Sequence, residues 1–268
     1  MILHDFDPVL IDLGFIQIRW YSIAYILGIV LGWIYANKII KNITIRHNFL
    51  AIKKKDFDDL IFYLIIGIII GGRLGYAIFY NPKYYLNNLE EILMIWQGGM
   101  SFHGGLLGVI ITTLLYSKKK QISFFQLTDV IACCAPIGLF FGRIANFING
   151  ELYGKISTLP WSIIFPAGGY ASRHPSQIYE AVLEGVFLFI LINYFALKKK
   201  LLFRAGYISV LFLTSYSIFR IIGENFREPD KHLGYVFYNL SMGSLLSLIT
   251  FLIGLIIIYF LKKNEQLN

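Results

Sequence analysis

The chain has 268 residues, of which 57% are hydrophobic, 17% aromatic and only 15% charged, and its formal net charge is +8. Its mean hydropathy is +0.63, and a soluble domain of this size does not need so much apolar surface. A membrane-spanning helix, by contrast, requires about 20 mostly apolar residues. The composition therefore excludes an ordinary soluble fold and predicts an all-α integral membrane protein.

Seven apolar stretches have the length of a membrane-spanning helix. They cover residues 20–36, 60–79, 92–116, 124–148, 178–197, 205–222 and 236–261. We predict that residues 1–268 form a single polytopic membrane domain with seven transmembrane helices. A short extracytoplasmic loop region is expected at about residues 150–177, between the fourth and fifth spans.

The basic residues predict the orientation of these spans. Of the 24 lysines and arginines, 15 lie in connections on one side, six lie on the other side and three lie inside spans. Because cytoplasmic connections are enriched in Lys and Arg, the amino terminus is expected outside and the carboxyl terminus inside. The charge of +8 thus follows from topology and implies no nucleic-acid partner. The first 18 residues carry no basic segment, so no cleavable signal peptide is expected.

Single polar residues mark the first three spans. Tyr21 begins the first span, where aromatic residues are typical of the membrane interface. Arg73 lies about 9 Å below the outer surface at 1.5 Å per residue, and from there its side chain can reach lipid phosphates without taking part in chemistry. In the third span His103 lies between two glycine pairs. Histidine exchanges protons near neutral pH, so His103 is the candidate base, although membrane histidines also form hydrogen bonds between helices.

The fourth span ends in the run of residues 142–154, which carries a guanidinium, two amides, a carboxylate and three glycines. Arg143, Asn146 and Asn149 are spaced three residues apart, so they share one helical face. An arginine within a span costs about 2.5–3.5 kcal/mol, which makes it a functional-site hypothesis by default. The alternative is that Arg143 reaches the interface and the asparagines cap the helix end. Glu151 and Gly154 follow directly and extend the polar cluster.

Charged residues recur in the fifth and sixth spans. Glu180 and Glu184 share a helical face, and a plus, minus, plus stripe follows at helical spacing, formed by Arg220, Glu224 and Arg227. An interfacial salt-bridge ladder would explain this stripe without any chemistry. Because helix direction alternates, however, polar residues from six helices converge in the outer half of the membrane and predict one outward-opening site. They are Tyr21, Arg73, Arg143, Glu180 and Arg220, with His103 nearest the middle. Several cations and one base there call for an anionic partner that diffuses laterally, and a phospholipid headgroup fits.

The sequence indicates no metal or nucleotide cofactor. Cys133 and Cys134 are adjacent in the fourth span, where they suit packing better than a disulfide framework or a metal site. The chain carries no metal-ligand cluster and no phosphate-binding loop.

Four separated motifs resemble one known family. They are Ser101-Phe102-His103-Gly104-Gly105, Gly142-Arg143-x-x-Asn146-Phe147-x-Asn149-x-Glu151-x-x-Gly154, His174-Pro175-Ser176-Gln177 and Arg220-x-x-x-Glu224-x-x-Arg227-x-Pro229-Asp230. Together they are similar to motifs of the bacterial phosphatidylglycerol–prolipoprotein diacylglyceryl transferases, and the resemblance covers essentially the whole chain. It implies a multi-pass protein of the bacterial inner (plasma) membrane whose active site opens toward the extracytoplasmic side.

The resemblance also implies a reaction. The diacylglyceryl group of phosphatidylglycerol is transferred to the lipobox cysteine thiol of a preprolipoprotein signal peptide, a thioether forms and glycerol 1-phosphate leaves. In this hypothesis His103 takes the thiol proton, because a free thiol with a pKa of about 8.5 needs a base to react near neutral pH. Arg143 and Arg220 hold the phosphate, since arginine binds phosphate bidentately. A carboxylate acting as the base stays open.

The hypothesis gives each remaining polar residue a role. We assign catalytic roles to His103, Arg220, Glu151 and Tyr21, and substrate binding to Arg143, Asn146, Gly154, Glu224 and Arg73. Glu151 and Glu224 are expected to orient the two phosphate-binding arginines. Arg73 is expected to guide lipid entry.

Two other classes of function are compatible with arginines in an outward cavity. An anionic lipid or small-anion transporter would need such a cavity, but transporters commonly show internal repeats, and this chain has one polar centre and no repeated half. An intramembrane hydrolase would require a Ser–His–Asp arrangement or paired metal ligands.

Overall fold

The computed structural model describes residues 2–14, 17–47, 52–229, 234–237 and 240–267. These residues are mostly helical, with several short strands. Contacts within the chain divide it into two compact units, one of residues 1–36 with 129–268 and the other of residues 37–128. Asp230, the last residue of the fourth motif, lies outside the described residues. The expectation of a single membrane domain stays a prediction.

The unit of residues 37–128 is built on two long helices. Its elements are the end of α1 (Trp20–His47), α2 (Lys54–Phe79), α3 (Pro82–Asn87), 3-10 turns at Leu89–Leu93 and Ile95–Gln97, and α4 (Phe102–Lys120). Ser101 caps α4, because its Oγ accepts a hydrogen bond from the backbone N–H of Gly104 at 3.2 Å. At the other end, Gln121 terminates α4 in a left-handed conformation with φ of 54°.

Glycines allow α2 and α4 to pack antiparallel at close range. A Cβ added at Gly67 would lie 2.9 Å from the carbonyl oxygen of Gly108, and one added at Gly75 would lie 2.7 Å from the Cα of Gly104. Neither distance leaves room for a larger side chain, so the small residues permit backbone contact between the helices. This contact holds the start of α4 against the carboxyl-terminal half of α2.

The other unit contains the remaining long helices. They are α5 (Phe124–Ile148), a continuous helical stretch made of α6 (Ser176–Glu180), π-helical Ala181–Phe187, α7 (Leu188–Asn193) and π-helical Tyr194–Lys198, then α8 (Tyr207–Glu224) and α9 (Met242–Leu267). A Cβ added at Gly185 would lie 2.7 Å from the Cβ of Phe140, so α5 packs closely on the π-helical turn. The carboxylate of Asp129 accepts N–H groups of Gly206 at 2.6 Å and Ser209 at 2.7 Å, and it thereby satisfies two backbone donors at the start of α8.

Short strands organise the connections of this unit. β1 (Ile2–Leu3) pairs in parallel with β4 (Ile163–Ile164), and β4 pairs antiparallel with β5 (Ser172–Arg173). Two further hairpins are formed by β2 (Val9–Asp12) with β3 (Gln17–Arg19) and by β6 (Tyr235–Phe237) with β7 (Leu240–Ser241). The predicted loop region at 150–177 therefore forms a small sheet with the amino-terminal segment.

Five helical stretches among the described residues are long and apolar enough to cross a membrane. They are Trp20–Ile43, Lys54–Phe79, Phe124–Ile148, Ser176–Lys198 and Met242–Gln266. The third predicted span differs from the structure, because α4 begins only at Phe102 and residues 92–101 are not α-helical. Gly98 and Gly99 explain the difference, since their φ angles of 83° and 79° are incompatible with an α-helix.

Candidate active site

Four charged side chains from three helical segments meet in the unit of residues 1–36 and 129–268. Arg143 of α5 donates its Nε and Nη2 to Glu184 Oε2 at 3.0 and 2.7 Å, and its Nη1 lies 2.8 Å from Glu180 Oε2. Arg220 of α8 places its Nη1 3.0 Å from Glu180 Oε1 and 3.4 Å from Glu184 Oε1. The two glutamates lie one helical turn apart, so together they bridge both arginines.

The carboxyl-terminal end of α8 extends this cluster. Arg220 Nη2 also pairs with Glu224 Oε1, and the other oxygen of Glu224 accepts the Ser241 hydroxyl at 2.6 Å. Arg227 makes longer contacts, 3.6 Å from Nη1 to Glu180 Oε1 and 4.0 Å from Nε to Glu224 Oε1. We call this set of three arginines and three glutamates the arginine–glutamate cluster: Arg143, Glu180, Glu184, Arg220, Glu224 and Arg227.

The arginine–glutamate cluster is neutral and its two charge types differ in exposure. Both Glu180 and Glu184 have side chains that are 0% exposed, whereas those of Arg143 and Arg220 are 14% and 11% exposed. An anion that approaches the cluster therefore meets guanidinium groups before it meets carboxylates. Charges buried this deeply are tolerated only when they are paired, so loss of one partner would leave its neighbours uncompensated.

A second polar group joins the first helix to the motif after α5. Asn146 Nδ2 donates to Tyr21 Oη at 3.1 Å and to Glu151 Oε1 at 2.7 Å. Gln177 Nε2 donates to the Glu151 carbonyl oxygen at 2.6 Å, and Ser176 Oγ donates to the Leu152 carbonyl oxygen at 3.0 Å. The segment that resembles the third motif thus supports the backbone of the second.

Glu151 was expected to orient one of the two phosphate-binding arginines, but the structure gives its carboxylate a different partner. The carboxylate of Glu151 accepts a hydrogen bond from Asn146, and Arg143 is held by Glu180 and Glu184 instead. The sequence predicted that these two glutamates share a helical face, but neither was given a catalytic or binding role. The spacing of four residues between Glu180 and Glu184 was the one sequence feature that could have indicated a shared role. The expected pairing of Glu224 with Arg220 is present.

Gly154 lies where three chain segments cross. Its N–H donates to the His174 carbonyl oxygen at 3.0 Å, and Gly154 forms an antiparallel bridge with Arg227. A Cβ added at this position would lie 2.5 Å from the His174 oxygen and 2.6 Å from the Phe226 oxygen. Gly154 is therefore required, because no larger side chain fits beside Arg227. The pKa of the neighbouring His174 imidazole is lowered by its partial burial, with a smaller effect from nearby Lys155.

We expect the substitution Gly154→Ala to destabilise the protein by about 2 kcal/mol, the usual cost of forcing a methyl group into a packed region. Activity should fall about tenfold, because the backbone next to Arg227 must move. Thermal unfolding in detergent and steady-state kinetics measure the two effects. Gly142→Ala is the matched control, since a Cβ there meets no described neighbour within 4 Å outside its own helix. Equal behaviour of the two variants would contradict the steric explanation.

His103 and Arg73 belong to the other unit, that of residues 37–128. His103 is the second residue of α4, and its side chain is exposed. The Arg73 side chain is buried, and its guanidinium donates to the backbone carbonyls of Glu91, Ile92, Met94, Gly98 and Gly99. Sequence reasoning expected this guanidinium to reach lipid, whereas the structure directs it at the protein backbone.

The structure brings six of the predicted site residues together in two adjoining groups of one unit. They are Tyr21, Arg143, Asn146, Glu151, Arg220 and Glu224. Convergence of His103 with these residues stays a prediction. Among the described residues, no group of three or more His, Cys, Asp or Glu side chains is arranged to hold a metal ion.

Comparison with known proteins gives a consistent result. A family model described as prolipoprotein diacylglyceryl transferase matches residues 8–260. The chain is 49% identical over 254 residues to the phosphatidylglycerol–prolipoprotein diacylglyceryl transferase of Rickettsia canadensis (strain McKiel), covering 95% of this chain and 96% of that protein. It is 47% identical over 265 residues to the transferase of the same description from Rickettsia bellii (strain OSU 85-389), covering 99% and 98%. The corresponding protein of Rickettsia africae (strain ESF-5) is 48% identical over 254 residues, covering 95% and 96%.

Proposed function

This chain belongs to the prolipoprotein diacylglyceryl transferase family, and we propose that it moves the diacylglyceryl group of phosphatidylglycerol onto the lipobox cysteine of preprolipoproteins. It is a transferase of lipoprotein modification. The reaction forms a thioether and releases glycerol 1-phosphate, the first step of that modification. The observation that carries the proposal is the arginine–glutamate cluster, whose guanidinium groups are more exposed than Glu180 and Glu184 and therefore suit an anionic lipid headgroup.

The chemistry requires a base and a site for a leaving phosphate ester. The cysteine sulfur attacks the glyceryl carbon, a C–S bond forms as the C–O bond breaks, and the bonding electrons leave with the phosphate oxygen. The thiol proton must leave as well, and a nearby base raises the thiolate fraction of a group with a pKa of about 8.5. We assign this proton to His103, whose exposed side chain is accessible to substrate.

We assign the phosphate to Arg143 and Arg220. Both guanidinium groups already bond to carboxylates. In this assignment the phosphate binds the N–H groups on the exposed edge of each guanidinium, and Glu180 and Glu184 stay bound to the buried edge. Fixed donors of this kind stabilise the charge that develops in the transition state, because they need little reorganisation. Glu224 orients Arg220 in this assignment.

Tyr21 and Asn146 are the proposed headgroup ligands. Asn146 Nδ2 donates to both Tyr21 Oη and Glu151 Oε1, and these two contacts hold the Asn146 amide in place. Gly154 holds the backbone next to Arg227 and thereby shapes the same site.

The proposed topology has seven membrane spans, an external amino terminus and an internal carboxyl terminus. The distribution of basic residues supports it. The two shorter helices α4 and α8, of 19 and 18 residues, would complete the seven together with the five long apolar stretches. The protein would then lie in the bacterial inner membrane with its site open to the extracytoplasmic side.

The direct test of function is incubation of the purified protein with phosphatidylglycerol and a short lipobox peptide in detergent, followed by mass analysis of the peptide. We expect a mass gain equal to diacylglycerol, and its loss when the peptide cysteine is replaced by serine. A known active transferase serves as the positive control. No mass gain beside an active control would contradict the proposed transfer and leave a transporter as the alternative, whereas consumption of lipid without peptide would point to hydrolysis.

A further inference from the structure

The guanidinium of Arg73 uses its full hydrogen-bonding capacity on the protein backbone. An arginine side chain has five N–H donors in a rigid planar fork. In this structure Nε donates to the Ile92 carbonyl at 2.9 Å, Nη1 donates to the carbonyls of Gly98 and, at 3.3 Å, Gly99, and Nη2 donates to those of Glu91 and, at 3.1 Å, Met94. Arg73 is only 3% exposed. No donor remains for a lipid phosphate.

The carbonyls bound by Arg73 lie in a stretch of irregular backbone, where the Glu91 carbonyl also accepts the Met94 N–H at 3.1 Å. Residues 89–101 consist of two short 3-10 turns and an extended connection around the glycine pair. Irregular backbone near a membrane is tolerated only where other groups supply the missing hydrogen bonds. The planar fork of Arg73 donates to five carbonyls of this stretch, so Arg73 takes the part that helix N–H donors play in a regular span.

The same turn of α2 also fixes the first residues of α4. The Gly72 carbonyl accepts the N–H of Ser101 at 2.8 Å, and Gly75 lies against Gly104 without space for a Cβ. Ser101 in turn caps the helix that carries His103. A continuous path of backbone contacts therefore leads from Arg73 to the first turn of α4.

We propose that Arg73 is a positioning residue, which clamps residues 91–99 by their carbonyl groups and thereby sets the location of His103 at the start of α4. The inference rests on the proposed function, because it concerns the histidine assigned to take the thiol proton. Arg73 acts through the backbone and does not touch the substrate. A displacement of the first turn of α4 by about 1 Å is enough to lower turnover about 100-fold.

The test compares Arg73→Lys and Arg73→Gln with the full-length protein in detergent. Lysine keeps the charge but replaces the planar fork with three donors at one point, so a clamp should fail in both variants. Amide hydrogen exchange of peptides covering residues 98–105 should become faster, because the Ser101 N–H and the cap of α4 lose their support. With phosphatidylglycerol and lipobox peptide, kcat should fall about 10- to 100-fold while KM for the lipid stays within about twofold. Lys83→Gln, an exposed cation of the same unit, is the control and should match the parent protein.

Three outcomes would overturn the inference. Arg73 would be a lipid guide if Arg73→Gln raised the KM for lipid, Arg73→Lys kept the parental KM, and amide hydrogen exchange stayed at the parental rate in both variants. Faster hydrogen exchange with unchanged kcat would show that the clamp exists but does not position His103. Unchanged hydrogen exchange and unchanged kcat would show that Arg73 is not a clamp. If Arg73→Gln fails to accumulate, Arg73→Lys carries the test. If the parent protein shows no transferase activity, the proposed function fails, whereas hydrogen exchange still measures whether the clamp exists.

Discussion

Replacing His103 with glutamine is expected to lower kcat by about 10²- to 10⁴-fold, the range that a positioned general base supplies. Glutamine keeps a polar side chain of comparable length but cannot accept a proton near neutral pH. His103 lies in the first turn of α4 with its side chain exposed, so the substitution removes chemistry without creating a cavity. Thermal unfolding should therefore stay close to that of the parent protein.

The pH dependence of the His103→Gln variant distinguishes a lost base from a lost contact. Without the base, only the spontaneously formed thiolate reacts, and its fraction rises about tenfold per pH unit below the thiol pKa of about 8.5. The ratio of parent to variant activity should then shrink as pH increases. Ser117→Ala, which removes a buried hydroxyl elsewhere on α4, is the control for general disturbance of the helix. A variant with near-normal turnover and a parental pH profile would show that a carboxylate or another group takes the proton.

The sequence is informative about helices because a membrane imposes a length on apolar stretches. The predicted fourth span, residues 124–148, coincides with α5 (Phe124–Ile148). The third span was placed too early, because the hydrophobic pattern continues through residues 92–101 although Gly98 and Gly99 adopt positive φ there. A hydropathy average hardly changes across two glycines, but their backbone conformation prevents the helix from continuing.

Partners of the charged residues were harder to predict than the residues themselves. Arg143 and Glu184 are 41 positions apart, and their contact depends on how α5 packs against the π-helical turn around Gly185. Helical spacing predicted the pairing of Arg220 with Glu224, because that pair lies within one helix. Glu151 was expected to orient a phosphate-binding arginine, yet its carboxylate accepts a hydrogen bond from Asn146.

Arg73 shows the limit of arguments from membrane depth. An arginine near the end of a span can extend its side chain to the lipid interface, and the sequence pattern does not distinguish this from a side chain that points into the protein. The acceptors are backbone carbonyls 18 to 26 residues downstream, and backbone carries no sequence signal of its own. The glycine pair downstream of Arg73 was the indirect indication that irregular backbone there would need hydrogen-bond donors.

The substitution Arg143→Lys is expected to lower kcat/KM by about 10²- to 10³-fold, the usual effect of removing one fixed donor to a developing charge. Lysine preserves the charge, but it cannot hold Glu184 through Nε and Nη2 while Nη1 faces Glu180. The remaining carboxylates would keep an incomplete partner in a site where they are 0% exposed. Steady-state kinetics with varied phosphatidylglycerol measures the effect.

A double-mutant cycle with Glu184→Gln tests whether the arginine–glutamate cluster acts as one unit. Each single substitution disrupts the same set of contacts, so the double variant should be about as active as Arg143→Lys alone instead of showing the product of the two losses. Arg204 and Glu265 form a matched exposed pair in the same unit, with side chains 52% and 42% exposed. Their equivalents, Arg204→Lys and Glu265→Gln, should change kcat/KM less than about threefold, because exposed ion pairs contribute about 0–1 kcal/mol. Multiplicative losses for Arg143 and Glu184 would mean that Glu184 serves the reaction independently of the arginine it holds.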